Sequence, residues 1–291
     1  MRAPAMTTLK AAVFFCLVAL LPARGHAEGF DTEHIFGFMI GTDVGEVGER
    51  EFQSETTGRF GRDGGAYRSV GQQVELEFVP VPNFRIEAGT TFAGHAISAV
   101  PGFDDRHQFT WQGASLDLRY RFLEREAAPF GLTLAVEGHG DRIDEITGAA
   151  ARSYGTDVTL AIDREVIPNA AIAAVNLLYQ PEWTHFTGLP AEEQEATIGA
   201  AFALMTRVRP NVLFGAEARY FRKYDGIGLN EFEGQAFFIG PNVYLQLSER
   251  ARLTATWSVQ AWGRAAGAPG PALDLVNFER HQARLVFGVN F

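Results

Sequence analysis

The stretch Gln282-Ala-Arg-Leu-Val-Phe-Gly-Val-Asn-Phe291 ends the 291-residue sequence, and its hydropathy alternates with a period of two. The apolar positions are Ala283, Leu285, Phe287, Val289 and Phe291, and the positions between them are mostly polar or small. Such alternation is typical of a β-strand with one apolar face. A chain end frays unless it is tied down, so we expect this strand to be paired along its full length. A closed barrel in lipid meets that requirement, because its first and last strands pair with each other.

The opposite end of the sequence has the pattern of a secretory signal peptide over residues 1–27. Lys10 precedes an apolar run at residues 11–21, and the small residues of Gly25-His-Ala27 suit cleavage after Ala27. The run is too short to cross a bilayer, which needs about 20 apolar residues. Cys16, the only cysteine, lies in this run. The mature chain is therefore predicted to have no disulfide, no thiolate nucleophile and no cysteine-ligated zinc.

The composition excludes some classes of protein and favours one. No stretch after Leu21 is apolar for long enough to form a membrane-spanning helix. A formal net charge of -10 argues against a nucleic-acid partner, whose phosphates call for clustered lysine and arginine. The mean hydropathy is -0.04, yet the chain has 24 Phe, 7 Tyr, 4 Trp and 31 Gly. This balance is typical of a transmembrane β-barrel, because half of each strand faces water.

The sequence divides into the signal peptide, an N-terminal segment at residues 28–46 and a barrel at residues 47–291. We expect the N-terminal segment, with its apolar Ile35-Phe-Gly-Phe-Met-Ile40, to pack at or inside the periplasmic mouth; an extra strand or a periplasmic arm are the alternatives. The barrel is predicted to have twelve strands, each near the ~10 residues that a tilted strand needs, although ten or fourteen would also satisfy an even count. The predicted strands are 47–60, 67–79, 84–97, 108–123, 129–139, 154–166, 170–182, 194–208, 211–224, 235–247, 251–264 and 280–291.

Two kinds of connection alternate along the chain. The short kind is built mostly from proline and asparagine, as in Pro80-Val-Pro-Asn83, Ile167-Pro-Asn169 and Arg209-Pro-Asn211. The long kind lies near residues 98–107, 140–153, 183–193, 225–234 and 265–279, with a shorter member at 61–65. This rhythm predicts an all-β, single up-and-down antiparallel transmembrane barrel with short periplasmic turns and longer external loops. A secreted β-sandwich is the alternative, but it gives no reason for the strict alternation of connections.

Strand parity assigns one row of each strand to lipid and the other row to the lumen. The outward rows are apolar and have no charge at their centres, where one would cost ~2–4 kcal/mol. The charges of the inward rows could be ion pairs that hold the barrel, or a pore lining that selects solutes by charge across a transverse field, and the two are compatible. The inward charged residues are Glu51, Glu55, Arg59, Glu75, Glu77, Arg85, Glu87, Asp117, Arg119, Arg121, Glu137, Asp157, Glu217, Arg219 and Arg284.

We find no sequence spacing that recommends a catalytic site. A lipid hydrolase at the barrel rim would need a serine, a histidine and an acid close together. The histidines on the external side are His95, His139 and His281, and the nearby serines have no suggestive spacing from them. No cofactor motif is present, and we expect the acidic loops to be solvated or to bridge lipopolysaccharide through divalent cations rather than to form a specific metal site.

The terminal Leu285-Val-Phe-Gly-Val-Asn-Phe291 resembles the C-terminal signal that the barrel-assembly machinery reads, with Phe287, Val289 and Phe291 as its apolar positions. With the signal peptide, it makes the chain similar to Gram-negative outer-membrane β-barrel proteins. The opening strand, Gly48-Glu-Arg-Glu-Phe52 leading to Gly58-Arg-Phe60, also resembles outer-membrane transport barrels of unknown substrate. The resemblance implies an outer-membrane location and three partners: outer-membrane lipid, lipopolysaccharide and the barrel-assembly machinery.

Charged inward rows in a barrel narrower than a porin predict a narrow passive channel or uptake barrel for small solutes. Two alternatives remain open at this point. One is an outer-membrane lipid hydrolase with a rim His/Ser site. The other is a non-conducting structural or adhesive barrel that acts through its external loops.

Overall fold

Twelve antiparallel β-strands make up most of the computed structural model of this protein, which describes residues 29–267 and 273–291. The predicted signal peptide lies outside the described residues. No helix in the described part of the chain is long and apolar enough to cross a membrane. The strands are β1 (Arg50–Phe60), β2 (Ala66–Val81), β3 (Phe84–Ser98), β4 (Arg106–Leu123), β5 (Gly131–Ile143), β6 (Ala150–Ile167), β7 (Ala171–Phe186), β8 (Glu193–Arg209), β9 (Val212–Asp225), β10 (Glu231–Gln246), β11 (Ala251–Ala265) and β12 (His281–Asn290).

The sheet is closed, because each strand pairs with its sequence neighbours and β1 pairs with β12. The closing pair runs antiparallel from Glu51 opposite Asn290 to Phe60 opposite His281. The backbone amide of Phe291 adds a hydrogen bond of 3.0 Å to the carbonyl oxygen of Arg50. The predicted all-β up-and-down barrel of twelve strands is therefore confirmed, and its last strand is paired along its length.

The connections at one end of the barrel, which we call the short-turn end, include two tight turns built around asparagine. The β2–β3 turn contains Pro82 and Asn83, and the β6–β7 turn contains Asn169. Asn83 and Asn169 have φ angles of 64° and 57°. Glycine adopts this left-handed region freely, and among the other residues asparagine tolerates it better than most. The residue choice that predicted these turns is thus the one that their backbone requires.

The strands continue further at the opposite, long-loop end than the sequence pattern predicts. β6 begins at Ala150, β10 begins at Glu231 and β7 ends at Phe186, each about four residues beyond its predicted limit. The added residues are paired, as Ala151 is with Phe186. Hydropathy alternation weakens where a strand leaves the apolar layer, but backbone hydrogen bonding continues. Four of the six loops at this end are accordingly shorter than predicted, whereas the β1–β2 and β11–β12 loops keep their predicted lengths.

Side chains on the barrel wall have the reverse distribution of a water-soluble protein. On β4, Leu116, Leu118 and Tyr120 point outward and are exposed, whereas the intervening Asp117 is only 6% exposed. Similar exposed apolar residues occur on β2, β8, β9 and β12. An apolar exterior around a polar interior is the arrangement that a surrounding bilayer stabilises. The interior of the barrel is therefore where polar chemistry can occur.

Candidate functional site

Residues 29–49, which we call the inner segment, run through the interior of the barrel near the short-turn end without forming a strand. Their backbone groups bond to side chains that point inward from the wall. The Glu217 carboxylate accepts hydrogen bonds from the amides of Gly37 (2.6 Å) and Phe38 (2.9 Å). The Asn176 amide bonds both the N–H and the carbonyl oxygen of Ile40. Irregular backbone inside a barrel needs such partners, because an unpaired buried peptide group is costly.

The apolar side chains of the inner segment pack against one part of the wall. Phe30, Ile35, Phe36 and Met39 are each at most 5% exposed. They form a cluster with small and apolar inward residues of β7, β8 and β9, namely Ile172, Ala174, Ala201, Ala203, Met205 and Leu213. The small alanines make room for the large side chains opposite them. The lumen thus contains a local hydrophobic core between the inner segment and the wall, which stabilises the segment inside the barrel.

Arginine side chains hold both halves of the inner segment. Arg125, in the β4–β5 connection, donates to the carbonyl oxygen of Phe30 and to the carboxylate of Asp43. The guanidinium of Arg219 lies 3.7 Å from the ring centroid of Phe38, and that of Arg284 lies 4.7 Å from the same ring. A desolvated cation–π contact contributes about 2 kcal/mol. Displacing the segment would break all of these contacts together.

His34, in the inner segment, faces three carboxylates. Its Nε2 atom lies 3.5 Å from Glu51 Oε2, 3.6 Å from Glu33 Oε1 and 3.9 Å from Glu77 Oε2. Burial, followed by the positive charge of Arg252, lowers the pKa of His34 well below its usual range. Burial therefore disfavours the protonated imidazole, although acids surround it.

A cavity of about 690 Å³ lies between the inner segment and the loops of the long-loop end. Its floor includes Phe38 and Ile40 of the inner segment, and its walls are inward side chains from most of the strands. A volume of this size falls within the range of about 300–1,000 Å³ that is typical of small-molecule sites.

Four carboxylates in register form an acidic wall of this cavity: Glu87, Asp117, Glu137 and Asp157. Glu87 is opposite Asp117, Asp117 is opposite Glu137, and Glu137 is opposite Asp157. Like charges directly across neighbouring strands destabilise a sheet. Arg119 offsets this at one end of the row, with Nη2 3.1 Å from Glu87 and 2.9 Å from Asp117. Among the described residues, no lysine or arginine lies within 4.0 Å of Glu137 or Asp157, which leaves that end of the wall uncompensated.

The basic side chains of the cavity lie mainly on β9, β12 and β1. Lys223 pairs with Glu195 at 2.8 Å, and Arg284 pairs with Glu55 at 3.0 Å. Arg219 bonds to the amide oxygen of Gln282 and has no carboxylate partner within 4.0 Å in the described part of the chain. In a closed ring of twelve strands, β12 is opposite β6 and β9 is opposite β3. The basic strands therefore face strands of the acidic wall across the cavity.

Two loops of the long-loop end fold inward above the cavity, and Arg59 joins them. Its guanidinium lies 2.7 Å from Glu145, in the β5–β6 loop, and 3.4 Å from Glu279, in the β11–β12 loop. The first loop is also held by a 2.9 Å hydrogen bond from the Tyr67 hydroxyl to the carbonyl oxygen of Ile146. The second is held by Arg62, which donates to the carbonyl oxygen of Val276 at 2.6 Å. These contacts narrow the external entrance.

The charged residues predicted to line the lumen fall into two groups. Glu51, Glu77, Arg121 and Glu217 instead contact the inner segment, Arg121 through Asp43 at 3.3 Å. The other eleven charged residues line the cavity: Glu55, Arg59, Glu75, Arg85, Glu87, Asp117, Arg119, Glu137, Asp157, Arg219 and Arg284.

The C-terminal positions Phe287 and Phe291 are exposed on the outer face, and Val289 shares their strand parity.

Several functional residues escaped the sequence analysis because they are neutral or because their role depends on the inner segment. Asn176 and Asn242 are fully or almost fully buried and bond to the inner segment's backbone. The two loop residues that bond to Arg59 were not singled out either. One signal was available: near the short-turn end the inward rows of β7 and β8 are mostly apolar (Ile172, Ala174, Ala201, Ala203 and Met205), which indicates a packed insert instead of water.

The rim histidines do not form the arrangement that a serine hydrolase requires. His95 Nε2 bonds to the carbonyl oxygen of Glu145 at 2.8 Å, and His139 Nδ1 bonds to Asp141 at 3.0 Å. Ser153 bonds to Thr184. In the residues that the structure describes, no hydrogen bond joins a histidine to a serine.

The closed twelve-stranded sheet, with its apolar exterior and charged interior, defines an outer-membrane β-barrel protein. The family of unknown function DUF6662 matches residues 28–291, and the chain belongs to that family. In barrels of this class the short turns face the periplasm. We therefore expect the short-turn end, with the inner segment beside it, to lie on the periplasmic side.

Solved structures with a similar fold include the COG4313 outer membrane channel from Pseudomonas putida F1. It is 12% identical, has a TM-score of 0.56, and the match covers 86% of this chain and 98% of that one. The translocator domain of autotransporter NalP from Neisseria meningitidis is 15% identical with a TM-score of 0.49, covering 86% and 91% of the two chains. No curated protein matches the sequence. At these identities the likeness concerns the fold.

Arg59→Gln is expected to loosen the β5–β6 loop. Because Glu145 is half exposed, we attribute about 1 kcal/mol to its pair with Arg59, so local opening should become roughly fivefold more frequent. Hydrogen–deuterium exchange at Gly148, whose amide bonds to the carbonyl oxygen of Asp144, measures this opening. Arg68→Gln, which removes an exposed arginine from β2, is the control. Equal exchange in both variants would show that Arg59 does not hold the loop.

Proposed function

We propose that this protein is a narrow outer-membrane channel or uptake barrel for small solutes, with a lumen that selects them by charge. A solute would enter the cavity from the external side, between the inward-folded loops. It would pass the charged walls and leave through the periplasmic end when the inner segment shifts. Solutes larger than the cavity would be excluded.

The single observation that carries this proposal is the charged cavity between the inner segment and the loops. A barrel that served only as a scaffold could balance its lumen charges with ion pairs. Here Glu137 and Asp157 face each other in register, and Arg219 faces the same cavity, none of them with a partner of opposite charge within 4.0 Å in the described residues. Unpaired charges around a volume of about 690 Å³ are suited to a charged solute rather than to an empty scaffold.

The inner segment supports a gated passage rather than a permanently open one. Wall contacts anchor it from the Phe30 carbonyl oxygen at one end to the Ile40 backbone near the middle. The segment occupies the lumen near the short-turn end of a barrel that is already narrower than porins of 16–18 strands. Low conductance with discrete transitions is the expected electrical behaviour.

The excess of carboxylates on the acidic wall is expected to make the conductance cation-selective. In planar bilayers under a salt gradient, the refolded protein should show discrete steps and a reversal potential of the sign that cation flow gives. The double variant Glu137→Gln, Asp157→Asn should shift that reversal potential toward zero, because it removes the two uncompensated charges.

Glu192→Gln provides a control for this measurement. Glu192 is exposed in the β7–β8 loop outside the cavity, so its neutralisation removes one negative charge, against two in the double variant, without touching the acidic wall. If an intact barrel gives no conductance steps, the channel proposal fails. An equal shift in the control and the double variant would remove the acidic wall as the selectivity element.

The proposal includes export and assembly. Residues 1–27 would act as a cleaved signal peptide, and Phe287, Val289 and Phe291 would be read by the barrel-assembly machinery before the barrel contacts outer-membrane lipid and lipopolysaccharide. All three positions belong to the outward parity of the closing strand. Recognition of that row before insertion uses the same side chains that later face lipid.

Deletion of Phe291 should lower the amount of barrel in the outer membrane several-fold. Loss of one aromatic contact changes stability by only ~1 kcal/mol, whereas loss of a recognition residue stops assembly. Phe122→Ala is the control, because Phe122 is also an exposed aromatic near the short-turn end. Quantitative fractionation measures the amount of each variant in the outer membrane. The mass of the extracted protein should correspond to a chain that begins at Glu28. Unchanged levels after the deletion would contradict the recognition role.

A further inference from the structure

The imidazole of His34 has an unsatisfied nitrogen at the boundary between the inner segment and the wall. The side chain is 10% exposed, and Nε2 has no hydrogen-bond partner. Its separations of 3.5–3.9 Å from the oxygens of Glu51, Glu33 and Glu77 exceed the 2.7–3.2 Å of an N–H···O hydrogen bond. A buried polar atom without a partner costs free energy. Something other than a direct hydrogen bond is needed to satisfy this group.

These separations suit a metal ion placed between the groups. Zinc binds nitrogen at about 2.0–2.1 Å and carboxylate oxygen at about 2.0–2.2 Å in tetrahedral sites, so neighbouring ligand atoms are about 3.4 Å apart. The donor atoms of Glu33, His34 and Glu77 all lie within 4.8 Å of one another. An ion among them would replace contacts that are too long for hydrogen bonds with bonds of normal length.

Arg85 orients the two carboxylates of this group. Its guanidinium contacts Glu33 and lies 3.1 Å from Glu77 Oε1, while the other oxygen of Glu77 is the one nearer to His34. Hydrogen bonds from a neighbouring shell commonly fix metal-binding carboxylates in this way. Glu51 differs, because Arg252 binds both of its oxygens. Although Glu51 Oε2 lies 3.5 Å from His34 Nε2, its oxygens are already bound, and we do not count it among the ligands.

Carboxylates outnumber guanidinium groups around His34. The ion-paired network there contains five carboxylates (Glu33, Glu51, Glu77, Glu87 and Asp117) and three guanidinium groups (Arg85, Arg119 and Arg252). A divalent cation would offset this excess of acidic groups, and buried charge without a partner is strongly unfavourable.

We propose that Glu33, His34 and Glu77 form a binding site for a divalent transition-metal ion of the zinc class. An imidazole together with carboxylates suits such ions, whereas calcium and magnesium prefer oxygen ligands alone. Two ligands belong to the inner segment and the third to β2. The bound ion ties the inner segment to the barrel wall near the short-turn end.

Zinc titration of the tag-free barrel, refolded in detergent and stripped with a chelator, tests the site. Isothermal calorimetry should detect one ion per barrel, and the temperature of unfolding should rise with zinc because the ion binds only the folded state. His34→Gln and Glu77→Gln should each weaken binding at least ~10-fold. Heat-modifiable mobility in gels verifies that each variant is folded.

His139→Gln is the matched control, because His139 also lies beside a carboxylate inside the barrel. It should leave zinc binding unchanged. Substitution with cobalt gives a second readout on the unaltered protein, since a tetrahedral imidazole-ligated cobalt ion has strong visible absorption bands.

Three results would overturn the metal site: no stoichiometric binding, equal affinity in His34→Gln, or equal loss in His139→Gln. Absence of the tetrahedral cobalt bands would overturn it even if the His34 and Glu77 variants do not fold. None of these measurements uses conductance, so the site stands or fails separately from the channel.

Discussion

Every backbone N–H and carbonyl group that crosses the lipid must be hydrogen-bonded within the protein, and the pairing of β1 with β12 meets this condition for the two strands that would otherwise be edges. Closure then fixes the direction of every side chain. Because parity is shared around the ring, one row of each strand faces lipid and the other faces the lumen. The exposed Leu116 and buried Asp117 are neighbours in sequence for this reason.

Closure also creates a polar interior that needs partners of its own. The inner segment supplies many of them: its amides satisfy Glu217 and Asn176, and its apolar side chains cover the inner faces of β7–β9. The wall in turn supplies the hydrogen bonds that an irregular backbone lacks. Without the other, the inner segment and the inward face of the wall would each leave buried polar groups without hydrogen-bond partners. The cavity that remains above the segment keeps the charges that neither half pairs.

The strands could be predicted from the sequence because alternation and turn residues are local signals. Predicted and observed limits differ mainly at the long-loop end, where pairing outlasts the hydropathy pattern. Parity also predicted the row that contains Glu87, Asp117 and Glu137. The partition of the charged residues could not be predicted, because Glu51, Glu77 and Glu217 differ from cavity residues only in what the inner segment places beside them.

The position of the inner segment was the least predictable feature, since residues 29–49 have no periodicity. The sequence features that specify this position are divided between the apolar stretch around Ile35 and the alanine-rich inner rows of β7 and β8. Either part alone is ambiguous: a short apolar stretch could be an extra strand, and small residues could simply line a pore. Only their packing in three dimensions joins them, since Ile35, Phe36, Ala201 and Ala203 belong to the same buried hydrophobic cluster.

Single-cysteine labelling of the inner segment measures its position directly, because Cys16 is the only natural cysteine and protein beginning at Glu28 has none. Ile35 is 2% exposed and Val47, in the same segment, is 57% exposed. A segment held in the lumen predicts that Ile35→Cys reacts with a membrane-impermeant maleimide roughly 100-fold more slowly than Val47→Cys, since labelling requires local opening. The difference should vanish in denaturant. Equal rates in the folded barrel would contradict a lumenal inner segment.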